Sequence, residues 1–131
     1  MIKILIPIFL IAGLYSCKKD VVNQKDIEGS WEYSTFIGYP FNYPTLPPGN
    51  GHVIVIKRNG LFERKSHDTT IFKGVYTLRW RKDCGTNTKQ AFFKTREPNS
   101  TESIISVMND SLLLSSSSCL ADGGVAIYKR K

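Results

Sequence analysis

From residue 29 onward the sequence carries short apolar bursts separated by turn-forming residues, and no window keeps apolar residues at helical spacing. The bursts are rich in β-branched and aromatic residues, which favour strands. Eight such segments are present, at residues 31–37, 52–57, 61–65, 70–80, 90–95, 103–108, 111–115 and 125–130. This part of the chain is therefore predicted to be all-β.

The clearest local signal is the Asn59-Gly60 pair between the second and third segments. Both residue types accept the positive φ angles of a tight hairpin turn, so the third segment should fold back on the second. Gly74, inside the long fourth segment, is predicted to mark a bend or a bulge. Alternation in the first segment predicts one shared face for four residues: Trp31, Tyr33, Thr35 and Ile37.

Short connections favour antiparallel neighbours, and about eight strands suffice to close an up-and-down barrel. A two-sheet sandwich is the alternative. The 131 residues, 41% of them hydrophobic, are enough for one domain with one core, which we assign to residues 28–131. Four aromatic side chains are candidates to fill the barrel: Tyr33, Tyr76, Trp80 and Phe92.

The first 16 residues have the layout of a signal peptide, with a cation at Lys3 and an apolar run at residues 4–14. That run is too short for a helix that spans a bilayer, which takes roughly 20 residues. It ends on Leu14-Tyr15-Ser16-Cys17, which resembles a bacterial lipobox. The resemblance implies cleavage before Cys17 and a diacylglycerol on its sulfur, because a thiol is needed to form the thioether. An ordinary secretory signal is the alternative.

Residues 17–27 are interpreted as the lipidated N-terminus and a polar tether. The Cys17-Lys18-Lys19-Asp20 opening resembles Bacteroidota lipoproteins, some of which use charged residues here as a signal for export to the cell surface. We expect a palmitate-type acyl anchor in the outer membrane, with the domain facing the periplasm or the cell surface.

The chain has a net charge of +7, and loss of Lys3 with the signal peptide would leave +6. Its cations are dispersed over turns and strand ends instead of lining one stripe, so we expect solvated surface charge and no nucleic-acid partner. The protein is expected to be a monomer.

Several short motifs, in this order and spacing, resemble the small lipocalin-like lipoproteins of Bacteroidota. They are Gly29-Ser30-Trp31, the hairpin at residues 54–62, Gly74-Val75-Tyr76, Asp110-Ser111-Leu112-Leu113-Leu114 and the ending at residues 119–130. The resemblance covers nearly all of the chain after the signal peptide. It implies an eight-stranded cup, closed at one end and open at the other, where a small apolar ligand enters. We expect no cofactor.

In lipocalins a Trp and an Arg stack at the closed end. Strand parity returns the last strand to the start of the first, so Trp31 and Arg130 are expected to make this structural contact. The loop at residues 38–51 would then lie at the open end, where lipocalins place a lid. Tentative ligand contacts are one set of residues: Tyr33, Ile37, Tyr39, Phe41 and Tyr43. Two alternatives are that the loop aromatics cap a solid barrel, or that they dock a protein or a glycan.

Cys84 and Cys119 remain once Cys17 is lipidated, and an oxidising compartment favours a structural disulfide between them. Strand parity conflicts with that bond, because the loops after the fourth and seventh strands should lie at opposite ends while a disulfide needs Cα atoms within about 7 Å. Three alternatives stay open: a different strand count, a loop that folds back along the wall, or free thiols.

Metal binding would have to use His52, His67 and the two cysteines, whose spacing matches no zinc pattern. We therefore expect no metal site. A His67-Asp68 pair lies near serines, but the chain has no Gly-x-Ser-x-Gly elbow. We accordingly expect a protein that is not an enzyme.

Overall fold

The structure is a computed structural model that describes residues 24–117, 119 and 123–131. A short helix, α1 (Gln24–Ile27), precedes eight strands. These are β1 (Gly29–Gly38), β2 (Val53–Ile56), β3 (Leu61–Ser66), β4 (Thr69–Lys82), β5 (Lys89–Thr95), β6 (Ser103–Met108), β7 (Ser111–Ser115) and β8 (Gly124–Arg130). The predicted signal peptide, Cys17 and the first part of the tether lie outside the described residues.

Each strand pairs antiparallel with the next, and β8 pairs with β1 to close the barrel. The predicted all-β, up-and-down barrel is confirmed, and the sandwich is excluded because one closed sheet contains all eight strands. Every strand lies within two residues of its predicted position.

The predicted hairpin between β2 and β3 is also confirmed. Asn59 and Gly60 have φ angles of 66° and 77°, in a 3-10 turn that spans Arg58–Gly60. The Lys57 amide donates to the Leu61 carbonyl at 2.8 Å and closes the turn. The left-handed backbone that this pair accepts at low cost therefore sets the register of the two strands.

A β-bulge in β1 makes the predicted shared face wrong beyond Tyr33. The pairing with β8 shifts between Tyr33 and Thr35, and an extra residue reverses the alternation of side chains that follow it. Phe36 therefore packs against Gly124, while Ile37 points outward and is 52% exposed.

Gly74 is not a bulge, because its pairing with Phe62 continues the register of its neighbours without interruption. The irregularity in β4 lies near Ile71, where the pairing shifts between Arg64 and Lys65. Gly74 instead leaves space for a neighbouring ring, since a Cβ there would lie 2.7 Å from the ring of Phe72.

The barrel interior is a continuous apolar core. Its fully buried members include Trp31, Ile54, Phe62, Ile105 and Leu112. Four aromatic side chains were expected to fill the interior. Tyr76 is buried in the core and Tyr33 packs against it, as expected. Trp80 is instead 36% exposed, and Phe92 lies beneath the Arg81 guanidinium. Phe93 takes the inward place instead of Phe92, because Ala91 and Phe93 alternate into the core.

The core reaches into the segment interpreted as a tether. Ile27 of α1 is fully buried, and its carbonyl accepts a hydrogen bond from the indole Nε1 of Trp31 at 2.8 Å. The start of β1 is therefore covered by α1, and we call this end of the barrel the closed end. The opposite end, where β1 ends and β2 begins, is the open end.

Cys84 and Cys119 form a disulfide with a Cα–Cα distance of 5.4 Å, in a barrel that keeps eight strands. Strand parity wrongly predicted that the two cysteines lie too far apart, because the strands of this barrel are unequal in length and their ends are staggered. β4 has 14 residues and β7 has five, and only the second half of β4 pairs with β5. The staggered strand ends thus let Ser117 donate to the Asp83 carboxylate at 2.5 Å, beside Cys84.

Candidate ligand-binding site

The closed end is plugged by Trp31 and Arg130, which are paired across β1 and β8. The guanidinium carbon of Arg130 lies 4.1 Å from the centre of the Trp31 ring. Its two terminal nitrogens donate to the backbone carbonyls of Glu28 and Asp26 at 3.2 and 3.3 Å. One side chain therefore ties β8 to the indole and to the segment that leads into β1, which makes this pair a structural element.

The long loop between β1 and β2, which was expected to form a lid, lies along the wall of the barrel and contributes only Leu46 to the lining of the open-end cavity. Its backbone donates from Tyr43 to the Phe36 carbonyl at 3.1 Å and from Leu46 to the Ser34 carbonyl at 2.8 Å. The reason is that β2 pairs only with the first residues of β1. The exposed edge of the rest of β1 would be left without partners, and the loop supplies them.

This placement leaves the loop aromatics in solvent. Tyr39, Phe41 and Tyr43 are 74%, 69% and 59% exposed. None of the three lines the cavity at the open end, and neither does Ile37. Of the tentative ligand contacts, only Tyr33 lies in its wall. The loop contributes Leu46 instead, a residue that aromatic content alone does not single out.

A cavity of about 390 Å³ opens at this end of the barrel. It lies between the middle of β1 and β8 on one side and β2, the second half of β3 and the start of β4 on the other. Its lining residues are Tyr33, Leu46, His52, Val53, Ile54, Arg64, Lys65, Ser66, Ile71 and Tyr128. The wall is thus largely apolar and also carries two phenols, two cations, one imidazole and one hydroxyl.

Arg64 is the charged residue inside the barrel that sequence analysis missed at this site. It alternates on β3 with the fully buried Phe62, and its guanidinium carbon lies 5.5 Å from the Phe62 ring centre. The sequence contained a signal for this. Residues i and i+2 of a strand face the same side, so Arg64 should point inward with Phe62. A charge inside a barrel needs a partner of opposite charge or a hydrogen-bonding group.

That partner is Glu97, from the loop between β5 and β6. The Nε of Arg64 donates to a Glu97 carboxylate oxygen at 2.7 Å, and the two side chains are 34% and 20% exposed. Burial alone would lower the pKa of Arg64, but the hydrogen bond to Glu97 and the interaction with Tyr128 outweigh it and raise that pKa. The guanidinium therefore stays charged at every physiological pH.

Arg64 lines a second cavity as well as the main one, and Glu97 lines the second. The second cavity, of about 340 Å³, lies toward β5, β6 and β7, and Arg64, Phe93, Glu97 and Leu114 line it. The Thr95 hydroxyl donates to the second carboxylate oxygen of Glu97 at 3.4 Å, and the Ser100 hydroxyl lies 3.1 Å from that of Thr95. The bonds from Arg64 and Thr95 together hold the Glu97 carboxylate in place.

Two phenols stand in the wall of the main cavity. The rings of Tyr33 and Tyr128 meet edge to face, with centroids 5.6 Å apart. Burial, followed by the repulsion that charge on Tyr128 or Tyr43 would cause, raises the pKa of Tyr33. Its hydroxyl therefore stays neutral and keeps a proton to donate.

His52 lines the same cavity, and His67 lies beside it. The rings of His52 and His67 are 5.0 Å apart, and the Ser66 hydroxyl lies 3.5 and 3.2 Å from their Nδ1 atoms. Within residues 24–117, 119 and 123–131, no group of three His, Cys, Asp or Glu side chains is placed to hold a metal ion.

Fold and site define a small, closed, eight-stranded antiparallel barrel with a plugged floor and an open, partly charged mouth. Comparison with protein-family models, with curated proteins and with solved structures gave no significant match. No helix in the described part of the chain is long and apolar enough to cross a membrane.

Proposed function

We propose that the protein is a membrane-anchored bacterial lipoprotein, without enzymatic activity, whose lipocalin-like barrel binds one small, mainly apolar molecule. The observation that carries this proposal is the cavity at the open end. Its volume lies at the lower end of the range of about 300–1,000 Å³ that small-molecule sites occupy. Leu46, Val53, Ile54 and Ile71 supply the apolar wall.

The proposed anchor is consistent with the direction in which the barrel opens. Helix α1, which follows the proposed lipid at Cys17 and the short tether, packs at the closed end. A lipid at Cys17 would therefore hold the closed end toward the outer membrane and leave the mouth free, in the periplasm or at the cell surface. Labelling of the full chain with an alkyne palmitate should mark the wild type and not Cys17→Ser, and labelling of both would contradict the anchor.

Ligand binding is tested with phenylnaphthylamine, an uncharged dye that fluoresces in apolar sites. Leu46→Trp enlarges a half-buried residue of the cavity wall, so it should weaken dye binding at least tenfold. Phe41→Trp is the matched control, because it makes the same kind of change on an exposed side chain of the same loop. An equal effect of the two variants would contradict binding in this cavity.

A second candidate function is docking of a protein or glycan through the exposed aromatics of the same loop. The supporting observation is the exposure of Tyr39, Phe41 and Tyr43 together with Ile37, since contiguous exposed apolar groups often mark interaction surfaces. Tyr39→Ser combined with Phe41→Ser should abolish retention on immobilised envelope polysaccharide or envelope protein and leave dye binding intact. Unchanged retention would exclude this surface.

A further inference from the structure

We propose that the ligand carries an anionic group, and that Arg64 binds this group at the inner end of the main cavity. The inference rests on the proposed ligand-binding function and narrows it to amphipathic organic anions: an apolar body with a carboxylate, sulfonate or phosphate. The cavity itself is the first support. Its wall contains the cations Arg64 and Lys65, and among the described lining residues there is no carboxylate.

The position of Arg64 is the second support. Its side chain faces the interior beside Phe62 and Phe72, and Ile54 is its cross-strand neighbour. Desolvation of a guanidinium costs free energy that an apolar residue at this position would not. Packing therefore does not require a charge at position 64, whereas recognition of an anion does.

The arrangement around the guanidinium is the third support. Glu97 engages Nε from the side of the second cavity. An arginine has five N–H donors in a planar fork, and charge-assisted bonds from such a fork to an anion are among the strongest in proteins. Tyr128, which interacts with Arg64, and Tyr33 bring two phenols to the same wall. An anion in the main cavity thus meets guanidinium and phenol donors together.

Glu97 should weaken the affinity of the site for an anion. Its carboxylate already neutralises part of the charge of Arg64 at 2.7 Å, so it competes electrostatically with a bound anion. Glu97→Gln keeps the shape of the side chain and removes that competition. The affinity for an anion should therefore rise severalfold in this variant, while the affinity for an uncharged molecule should stay the same.

The test uses two dyes with one ring skeleton, phenylnaphthylamine and its sulfonated form, anilinonaphthalene sulfonate. Arg64→Met alone would leave the Glu97 carboxylate without its cationic partner, and that carboxylate would repel the sulfonate. The informative variant is therefore Arg64→Met combined with Glu97→Gln. It should weaken binding of the sulfonated dye at least tenfold and change binding of the uncharged dye less than threefold. Arg79→Met is the control, because Arg79 is exposed on the outside of β4.

The outcomes separate this inference from the function on which it rests. A double variant that weakens both dyes equally, or neither, would overturn the role of Arg64 and leave cavity binding standing. An unchanged affinity of Glu97→Gln for the sulfonated dye would also count against it. If the wild type binds neither dye, the cavity site itself falls and both proposals fall with it. Circular dichroism and urea unfolding establish that each variant is folded.

Discussion

Removal of the disulfide should destabilise the barrel by an amount that can be worked out from its loop length. Cys84 and Cys119 are 35 residues apart in sequence. In the chain-entropy treatment, closing a loop of this size removes about 13 cal/mol/K from the unfolded chain, or about 4 kcal/mol at 25 °C. The double variant Cys84→Ser/Cys119→Ser should lose about that much free energy of unfolding.

The loss should come from the unfolded state, because the folded loops keep other contacts. Ser117 donates to the Asp83 carboxylate, which also accepts from the Cys84 amide at 2.8 Å. Urea unfolding followed by tryptophan fluorescence measures the effect. With a slope of about 2 kcal/mol/M, the midpoint should fall by about 2 M. Either single cysteine variant is the matched control. Each breaks the same bond, so its unfolding midpoint should fall by the same amount as that of the double variant.

Two results would refute this reasoning. One is a decrease below about 1 kcal/mol in the double variant, which would mean that the bond contributes little to stability. The other is the titration of two free thiols in the unreduced, denatured domain, which would mean that the bond is not formed.

The remaining predictions concern the closed end of the barrel, the pairing of β1 with β8, and the Glu63 carboxylate. Arg130→Met should lower stability by about 1–3 kcal/mol in urea unfolding, because it removes the contact with Trp31 and two charge-assisted bonds; no change would contradict the plug. Gly124→Ala should cost about 1–3 kcal/mol because its Cβ would overlap the ring of Phe36, and Phe36→Leu should restore part of that loss. The hydrogen bond from Lys57 holds the pKa of Glu63 below its ordinary range. The ionised Glu63 carboxylate therefore stabilises the fold at neutral pH, and this stabilisation is lost as the pH falls through the lowered pKa. Glu63→Gln should accordingly lower the melting temperature at pH 7 and not at about pH 2.5.

The strands of this fold could be predicted from local sequence, because their limits depend on local chemistry. Asn59 and Gly60 accept the turn backbone by themselves, and β-branched and aromatic bursts mark the strands on both sides. One feature of the strands, the bulge in β1, could not be predicted from local sequence. The bulge after Tyr33 depends on how β8 pairs with β1, which is a contact between opposite ends of the chain.

The site was harder to predict than the fold. Exposed aromatics in a loop were expected to face a ligand, but the free edge of β1 draws the loop backbone along the wall and turns Tyr39 and Phe41 to solvent. The inward alternation of Phe62 and Arg64 was visible in the sequence. The partner of Arg64, Glu97, could not be predicted, because 33 residues separate Glu97 from Arg64.

The most direct test of the central claim is native mass spectrometry of the protein purified gently from its own host, before and after organic extraction. A ligand-binding barrel predicts one bound molecule per chain, removed by extraction, with a much smaller bound fraction in Leu46→Trp than in Phe41→Trp. The extracted molecule should be retained on an anion exchanger if Arg64 binds a negative group. A ligand-free mass under several growth conditions would contradict the account and favour docking through the exposed aromatic loop.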